Sequence, residues 1–356
     1  MRTGGTTGLR PLGSVSGFGS RKNLIPDELW RRMFALALGL MSAGGAFAQA
    51  PSSDTPDEAA SRIWLWPDKT APGSGRVAAD QRIVERSNDA GTPDRIITGV
   101  TQPYLVVYRP RRPNGIALLV TPGGGYERIV LDKEGSALVP ALVEQACVTL
   151  FVLRYRLPGD GHDDARDAPL ADAQRALRLI RARAREWNIE PQRIGVIGFS
   201  AGGHVAASLG TRFDDRVYIA ADAADRHSAR PDFMLLVYPV IDMGAHAHAG
   251  SRTRLLGATP TTAEIAAYSP QRHIVAGTPP TFLLHAADDG TVPVDNSLLF
   301  FEALRRADVP AELHVYPHGG HGFGVRVVRG SLARWPQLAL DWMRSISSHP
   351  PLKKGG

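Results

Sequence analysis

The apolar run Ile194–Ile197 ends in Gly198-Phe199-Ser200-Ala201-Gly202, and an alanine-rich helical pattern follows. This is G-x-S-x-G in the setting it needs: a strand, a sharp turn and a helix. The turn forces Ser200 into a strained backbone conformation, so its neighbours two positions away must be small. Gly198 and Gly202 meet that need. The helix that starts here aims unbonded N–H groups and its positive dipole end at the place where an oxyanion would form. Taken alone, the same pattern also describes a Gly-rich connection carrying a surface serine. The remainder of the chain has to separate the two.

From Trp64 onward the pattern is that of a packed domain. Short apolar runs lie at Ile96–Val100, Tyr104–Tyr108, Ile116–Val120, Val148–Leu153, Ile194–Ile197, Phe233–Tyr238, Thr281–Leu284 and Leu313–Tyr316. Several are continuously apolar, as strands buried on both faces are. From Ile116 on, helical patterns separate most of them, which predicts an α/β domain with a mainly parallel, doubly wound sheet. The clearest helix runs from Pro169 to Trp187, with Ala173, Ala176, Leu177, Ile180, Ala184 and Trp187 on one stripe. Arg175, Arg178, Arg181 and Arg185 fall off that stripe and read as a solvated face. One domain is expected over residues 62–347, with 49–61 as a flexible tether and 348–356 as a disordered tail.

The chain's positive charge does not point to nucleic acid. Six of the 41 Lys and Arg, against two of the 35 Asp and Glu, lie in the first 48 residues, so the remainder carries +2 rather than +6. Arg31-Arg32, the apolar stretch from Met33 to Met41 and Ala46-Phe47-Ala48 read as a secretory signal peptide with an A-x-A cleavage site. The apolar stretch is shorter than the ~18 residues of a spanning helix. Export to the periplasm or medium is therefore expected, with no stable membrane association once the leader is cleaved; an uncleaved anchor is the competing reading. Arg31-Arg32-Met33-Phe34 partly resembles a twin-arginine signal. Cys147 is the one cysteine, which excludes an intrachain disulfide, and it reads as a small core residue.

A nucleophilic serine needs a base, an acid that orients the base, and oxyanion donors. Candidates for all three lie at strand ends. After Thr281–Leu284 comes His285-Ala-Ala-Asp288-Asp289-Gly-Thr-Val-Pro293, and after Leu313–Tyr316 comes Pro317-His318-Gly-Gly-His321-Gly-Phe-Gly324. Separately, Asp289 reads as a helix cap and His321 as a loop histidine. Their order after Ser200 is that of α/β-hydrolases, which place the acid four residues before the Pro of D-x-x-V-P. That selects Asp289 over Asp288, while the glycines around His321 select it over His318. Directly after Ile116–Val120 comes Thr121-Pro122-Gly123-Gly124-Gly125-Tyr126, an oxyanion loop of the HGGG type with proline in place of histidine. It lacks the Gly-Lys-Ser/Thr of a phosphate loop and the G-x-G-x-x-G of a dinucleotide site. No Cys/His metal spacing occurs, and His246 and His248 read as surface or structural residues. The chemistry needs neither metal nor organic cofactor.

Leu65-Trp66-Pro67, Pro122-Gly-Gly-Gly-Tyr126, Lys133-Glu134-Gly135, Leu153-Arg-Tyr-Arg156, Asp172-Ala-Gln-Arg175, Gly198-Phe-Ser-Ala-Gly-Gly-His204, Leu255-Leu-Gly257 and Gly319-Gly-His-Gly-Phe-Gly324 occur in register. With them the chain, over about residues 62–345, resembles secreted bacterial α/β-hydrolases related to acetylxylan esterases and feruloyl-esterase-like acyl esterases. The resemblance implies a mostly parallel eight-stranded sheet flanked by helices. It also marks Ser200 as nucleophile, Asp289 as acid, His321 as base, and the N–H groups of Gly124, Gly125 and Ala201 as oxyanion donors. Tyr126 is a candidate for the acyl pocket or a packing residue. Glu134, Asp172 and Arg175 are expected to serve structure, as buried charge pairs or helix-surface contacts. About 40 residues around His246 to Gly277 leave room for a small lid or none, which suits an acylated polysaccharide or a small ester. A broad short-chain carboxylesterase or feruloyl esterase is the alternative enzyme. A catalytically silent carbohydrate-binding protein on the same fold is the alternative of another class.

Overall fold

The computed structural model describes residues 50–348 apart from Arg76 and Val327. The leader assigned to residues 1–48, and the tail from residue 349, lie outside the described residues. From Gln49 on the chain forms one compact unit.

Eight strands build the main sheet: β1 (Arg62–Trp64), β2 (Tyr104–Tyr108), β3 (Gly115–Thr121), β4 (Thr149–Arg154), β5 (Ile189–Phe199), β6 (Met234–Val237), β7 (Thr281–Ala286) and β8 (Ala311–Tyr316). Their spatial order is β1-β2-β4-β3-β5-β6-β7-β8. Pairing is parallel from β4 through β8 and antiparallel where β2 meets β1 and β4. All seven residues of β3 and all six of β4 are buried. Alternate side chains serve two cores, as the period of a strand dictates. Leu119, Val196 and Leu236 pack with Leu177, Val205 and Phe300 on one face. Leu118, Ile197 and Leu235 pack with Leu142, Trp335 and Met343 on the other.

The helices are α1 (Pro56–Ala60), α2 (Ala168–Ala182), α3 (Ser200–Thr211), α4 (Ala249–Leu256), α5 (Thr262–Ala267), α6 (Asp295–Arg306) and α7 (Trp335–Ser348). The expected helix Pro169–Trp187 breaks at Arg183 (φ −107°, ψ 17°), and Ala184–Trp187 continues as a 3₁₀ turn. Arg175 is not on a solvated face. It is buried, donates from Nε to the Leu65 carbonyl at 2.8 Å, and pairs with Asp222 and Asp225 at 2.5 and 3.1 Å. Asp172 is buried too, holding Arg156 and the Trp66 indole N–H. The region expected to hold a lid contains two short helices, α4 and α5, and a 3₁₀ turn at Pro270–Arg272. Among the described residues no helix is long and apolar enough to cross a membrane.

Two expectations change. Ile96–Val100 does not join the main sheet. Arg95–Thr98 pairs with Arg82–Glu85 and Ile129–Val130 in a separate four-stranded antiparallel sheet, whose outer strand is Ala50–Ser52. Its place in the main sheet falls to β1, a strand of three residues, too short to show a period of its own. The stretch 49–61, expected as a tether, folds from Ala50 onward. Thr55 and Glu58 form a capping box on α1, and Glu58 with Asp132 surrounds the buried Arg95 guanidinium at 2.7 and 2.6 Å.

Burial raises the Glu58 pKa, but hydrogen bonds from Arg95, Tyr108 and the Thr55 N–H outweigh it and bring it down to about 2. Because the folded value lies below the ordinary 4.5, this stabilisation is complete above pH ~4.5 and lost as pH falls through ~2. Glu58→Gln is expected to destabilise the fold at pH 7 by about 3 kcal/mol: Arg95 keeps Asp132, but a neutral amide cannot replace the charge-assisted bonds that the Glu58 carboxylate accepts from Arg95, Tyr108 and the Thr55 N–H. Urea unfolding at stepped pH checks this: the gap between parent and variant narrows below pH ~4.5.

Candidate active site

Four loops meet at the C-terminal ends of β3, β5, β7 and β8, the edge where open parallel sheets bind ligands. After β5 the chain turns into α3 within one residue, and Ser200 sits in that turn with φ +51°. Such a value is costly for a residue with a Cβ and persists only where the surroundings impose it. The glycines show how tightly they do. A Cβ on Gly198 would lie 2.4 Å from the Gly202 carbonyl oxygen, and one on Gly202 would lie 2.0 Å from the Thr121 carbonyl oxygen.

Ser200 Oγ lies 2.8 Å from His321 Nε2, and His321 Nδ1 lies 2.7 Å from Asp289 Oδ2. Asp289 is buried and surrounded by donors. Its Oδ1 accepts the N–H groups of Thr291 and Val292, each at 2.9 Å, and its Oδ2 faces His285 Nε2 at 3.3 Å. Burial pushes the Asp289 pKa up. Hydrogen bonds from His285, His321 and the Val292 N–H prevail and hold it well below the usual carboxylate range. An ionised Asp289 requires the proton of His321 on Nδ1, which leaves Nε2 free to accept from the Ser200 hydroxyl.

The loops are held in turn by residues that sequence reasoning passed over. His285 is fully buried, with Nδ1 2.8 Å from Ser297 Oγ and Nε2 3.0 Å from the Val292 carbonyl. Its spacing of four residues from Asp289, on a strand end, was the available signal. Asp288, set aside as the acid, accepts the Gly319 and Gly320 N–H groups at 2.9 and 2.8 Å and so anchors the loop that carries His321. His318 is solvent-facing and pairs with Asp288 at 3.3 Å.

On the other side of Ser200, the Gly123 N–H donates to Glu134 Oε2 at 2.7 Å. The N–H groups of Gly124 and Gly125 meet no acceptor among the described residues, and Ala201 stands in the first turn of α3, where N–H groups lack intrahelical partners. Gly124 (φ +135°) has no alternative, since a Cβ there would lie 2.1 Å from the Arg128 carbonyl oxygen. Glu134 is buried, and Tyr238 donates its hydroxyl to Glu134 Oε1 at 3.0 Å while accepting the Gly324 N–H at 3.1 Å. The Tyr238 ring also packs against His321 with centroids 5.0 Å apart. Glu134 and Tyr238 thus join the glycine loop to the His321 loop. Burial raises the Glu134 pKa despite those hydrogen bonds. Glu134→Ala releases both loops at once, and a loss of about 10² in kcat is expected, the effect of misplacing one oxyanion donor. Steady-state kinetics on an aryl acetate measures it.

Tyr126 does not face Ser200. Its ring is buried and its hydroxyl lies 2.7 Å from His204 Nδ1, while His204 Nε2 lies 2.7 Å from the Tyr268 carbonyl. Burial pushes the His204 pKa down to about 4, so this is a neutral packing pair. A cavity of about 480 Å³ opens over Ser200, lined by Gly124, Gly125, Glu134, His248, Thr291 and His321 among others. His248 caps α4, its Nδ1 accepting the Ser251 N–H at 3.2 Å. His246 stands near Asp295 at 3.8 Å and is not part of the lining. Among the described residues no group of three or more His, Cys, Asp or Glu is placed to hold a metal. Chemically, the arrangement provides a hydroxyl, a base able to take its proton, a fixed anion behind the base, and free N–H donors facing the same space.

Known proteins share this architecture. Along the sequence, 251 residues are 35% identical to an acetylxylan esterase of Xylanibacter ruminicola, covering 68% of this chain and 48% of that protein. Another 39% identity over 208 residues relates it to endo-1,4-beta-xylanase B of Butyrivibrio fibrisolvens, covering 58% of this chain and 32% of that one. The chain therefore spans a third to a half of these two relatives. The crystal structure of an acetyl ester-xyloside bifunctional hydrolase from Caldicellulosiruptor lactoaceticus superposes with a TM-score of 0.67 at 36% identity, over 83% of this chain and 99% of that one. The BD-FAE family model matches residues 116–304, a stretch that runs from β3 through most of α6 and contains the glycine loop, Ser200 and Asp289. This chain is a member of the BD-FAE family and an α/β-hydrolase.

Proposed function

We propose that the protein is a serine carboxylic ester hydrolase that removes acetyl groups from acetylated xylan or its fragments. The observation that carries this reading is the chain of contacts from Ser200 through His321 to Asp289, set beside unbonded glycine N–H groups. Ser200 Oγ attacks the ester carbonyl carbon while His321 Nε2 takes the hydroxyl proton. Asp289 holds the tautomer and stabilises the imidazolium. The N–H groups of Gly124, Gly125 and Ala201 receive the oxyanion of the tetrahedral intermediate. The intermediate collapses as His321 returns the proton to the departing alcohol. Water then repeats the cycle on the acyl-enzyme and releases acetate.

The cavity favours a small acyl group and a polar alcohol. Among the described residues its one aliphatic lining side chain is Val130, and no Phe, Tyr or Trp lines it. A feruloyl group needs an apolar or aromatic slot to bury its ring. The relatives named for acetyl esters and xylan point the same way. The decisive experiment is acetate release from acetylated xylan by the purified chain. Release supports the polymer substrate. Cleavage of an aryl acetate without release from xylan replaces it with a broad short-chain esterase. The leader belongs to the same proposal: an exported enzyme whose mature chain begins after Ala48, tested by N-terminal sequencing of the protein recovered from the cell envelope and medium.

A further inference from the structure

The cavity over Ser200 is unusual in its charge. Arg128, Lys133 and Arg254 line it, beside Arg86. Arg86 is neutralised, with Asp94 Oδ2 2.7 Å from its guanidinium. The other three are not. Arg128 and Arg254 share one carboxylate, Glu127, each at 3.5 Å, a loose approach across an exposed side chain. Arg128 Nε is shielded from solvent and has no hydrogen-bond partner among the described residues. Lys133 has neither ion-pair nor hydrogen-bond partner among them, and its ammonium lies 3.3 Å from where a Cβ on Gly322 would stand, next to His321. The second acidic lining residue, Glu134, already accepts from Gly123 and Tyr238.

These cations are tied to the reacting centre by the backbone. The Arg128 carbonyl oxygen packs under Gly124, and Lys133 directly precedes Glu134. Arg254 comes in on α4, whose cap His248 faces Gly125. A neutral acetyl sugar has no use for three cations that have only the loosely held Glu127 and the already committed Glu134 beside them, whereas a substrate carboxylate would complete their pairing. We propose that this site selects esters whose alcohol portion carries a carboxylate close to the acyl group, as in an acetylated oligosaccharide bearing a uronic acid. The proposal rests on the esterase reading above and adds the charge of its substrate.

The test compares 4-acetoxybenzoate with the neutral 4-acetoxybenzamide, reading the ratio of the two kcat/KM values in the full chain. That ratio is insensitive to the fraction of folded enzyme. A ratio of tenfold or more at low salt is expected, falling towards one as ionic strength rises. Lys133→Gln and Arg254→Gln should each lower it by about three- to fivefold, the worth of one partly exposed charge pair. Acetylated xylo-oligosaccharides with and without a glucuronic acid branch should show the same preference. A ratio near one that neither salt nor these variants moves would overturn the charge selection while leaving the esterase intact. Cleavage of neither aryl ester would overturn both.

Discussion

Replacing Ser200 by alanine is expected to lower kcat on any ester substrate by about 10⁶, leaving the slow residual rate of an oxyanion site without a nucleophile. Ser200 Oγ lies within hydrogen-bond distance of the base, and no second hydroxyl lines the cavity except that of Thr291. The substitution removes one oxygen and leaves the turn intact, because alanine meets the same backbone constraint at φ +51° as serine does. Unfolding stability should therefore stay within about 1 kcal/mol of the parent, and KM should change little. Acetate release and urea unfolding on the same preparation test both parts. A variant that keeps a few per cent of the parent rate with native stability would remove Ser200 from the nucleophile's role.

Asp289→Asn comes next in size, with an expected loss of about 10⁴ in kcat. All of the carboxylate's neighbours are donors. Oδ1 takes two backbone N–H groups, and Oδ2 takes His321 and His285. An asparagine has only one acceptor oxygen to divide among them. If that oxygen keeps the Thr291 and Val292 N–H groups, the amide NH₂ faces His321 Nδ1 and drives the imidazole proton to Nε2, the atom that must accept from Ser200. If the amide turns the other way, its NH₂ meets two backbone donors in a buried site. Either outcome disables the base or strains the β7 loop. NMR of the imidazole nitrogens separates them, since the first reverses the tautomer and the second does not.

The variants differ in what they leave behind. Ser200→Ala removes the proposed nucleophile from an otherwise native site, whereas Asp289→Asn keeps the size and shape of the side chain and changes its donors and acceptors. Glu134→Ala moves backbone instead. Ordering the losses as Ser200, Asp289, Glu134 therefore orders three distinct contributions: the nucleophile, the proton's position, and the placement of the loops.

Much of this site could be read without coordinates, for a local reason. The turn around Ser200 is a short-range device: a strand, two obligatory glycines and a helix start fall within about ten residues. Strands β3, β5, β7 and β8 announced themselves as apolar runs because parallel strands are buried on both faces. Once those strands were placed, Gly124, Gly125, Asp289 and His321 stood at the same edge of one sheet. Ser200, Asp289 and His321 follow one another in the order of α/β-hydrolases.

What escaped the sequence shares a different cause. Arg95, Asp132 and Glu58 are separated by 37 residues or more along the chain where they meet, and their charges look like ordinary surface until burial forces them together. The same holds for Arg175, which periodicity placed in solvent and packing placed against Leu65 and Asp222. β1 has only three residues, too few for periodicity, and owes its place in the sheet to its pairing with β2. The roles of His285 and Asp288 depend on which way each side chain points from the end of β7, and those of Arg128, Lys133 and Arg254 on two separate segments converging over Ser200. Local covalent geometry and the burial period of strands determined the fold class and the residues at the sheet edge. Only the tertiary structure decided which charges are buried, which are paired and which face the substrate, because electrostatic partnership depends on distance in space, which chain order does not encode.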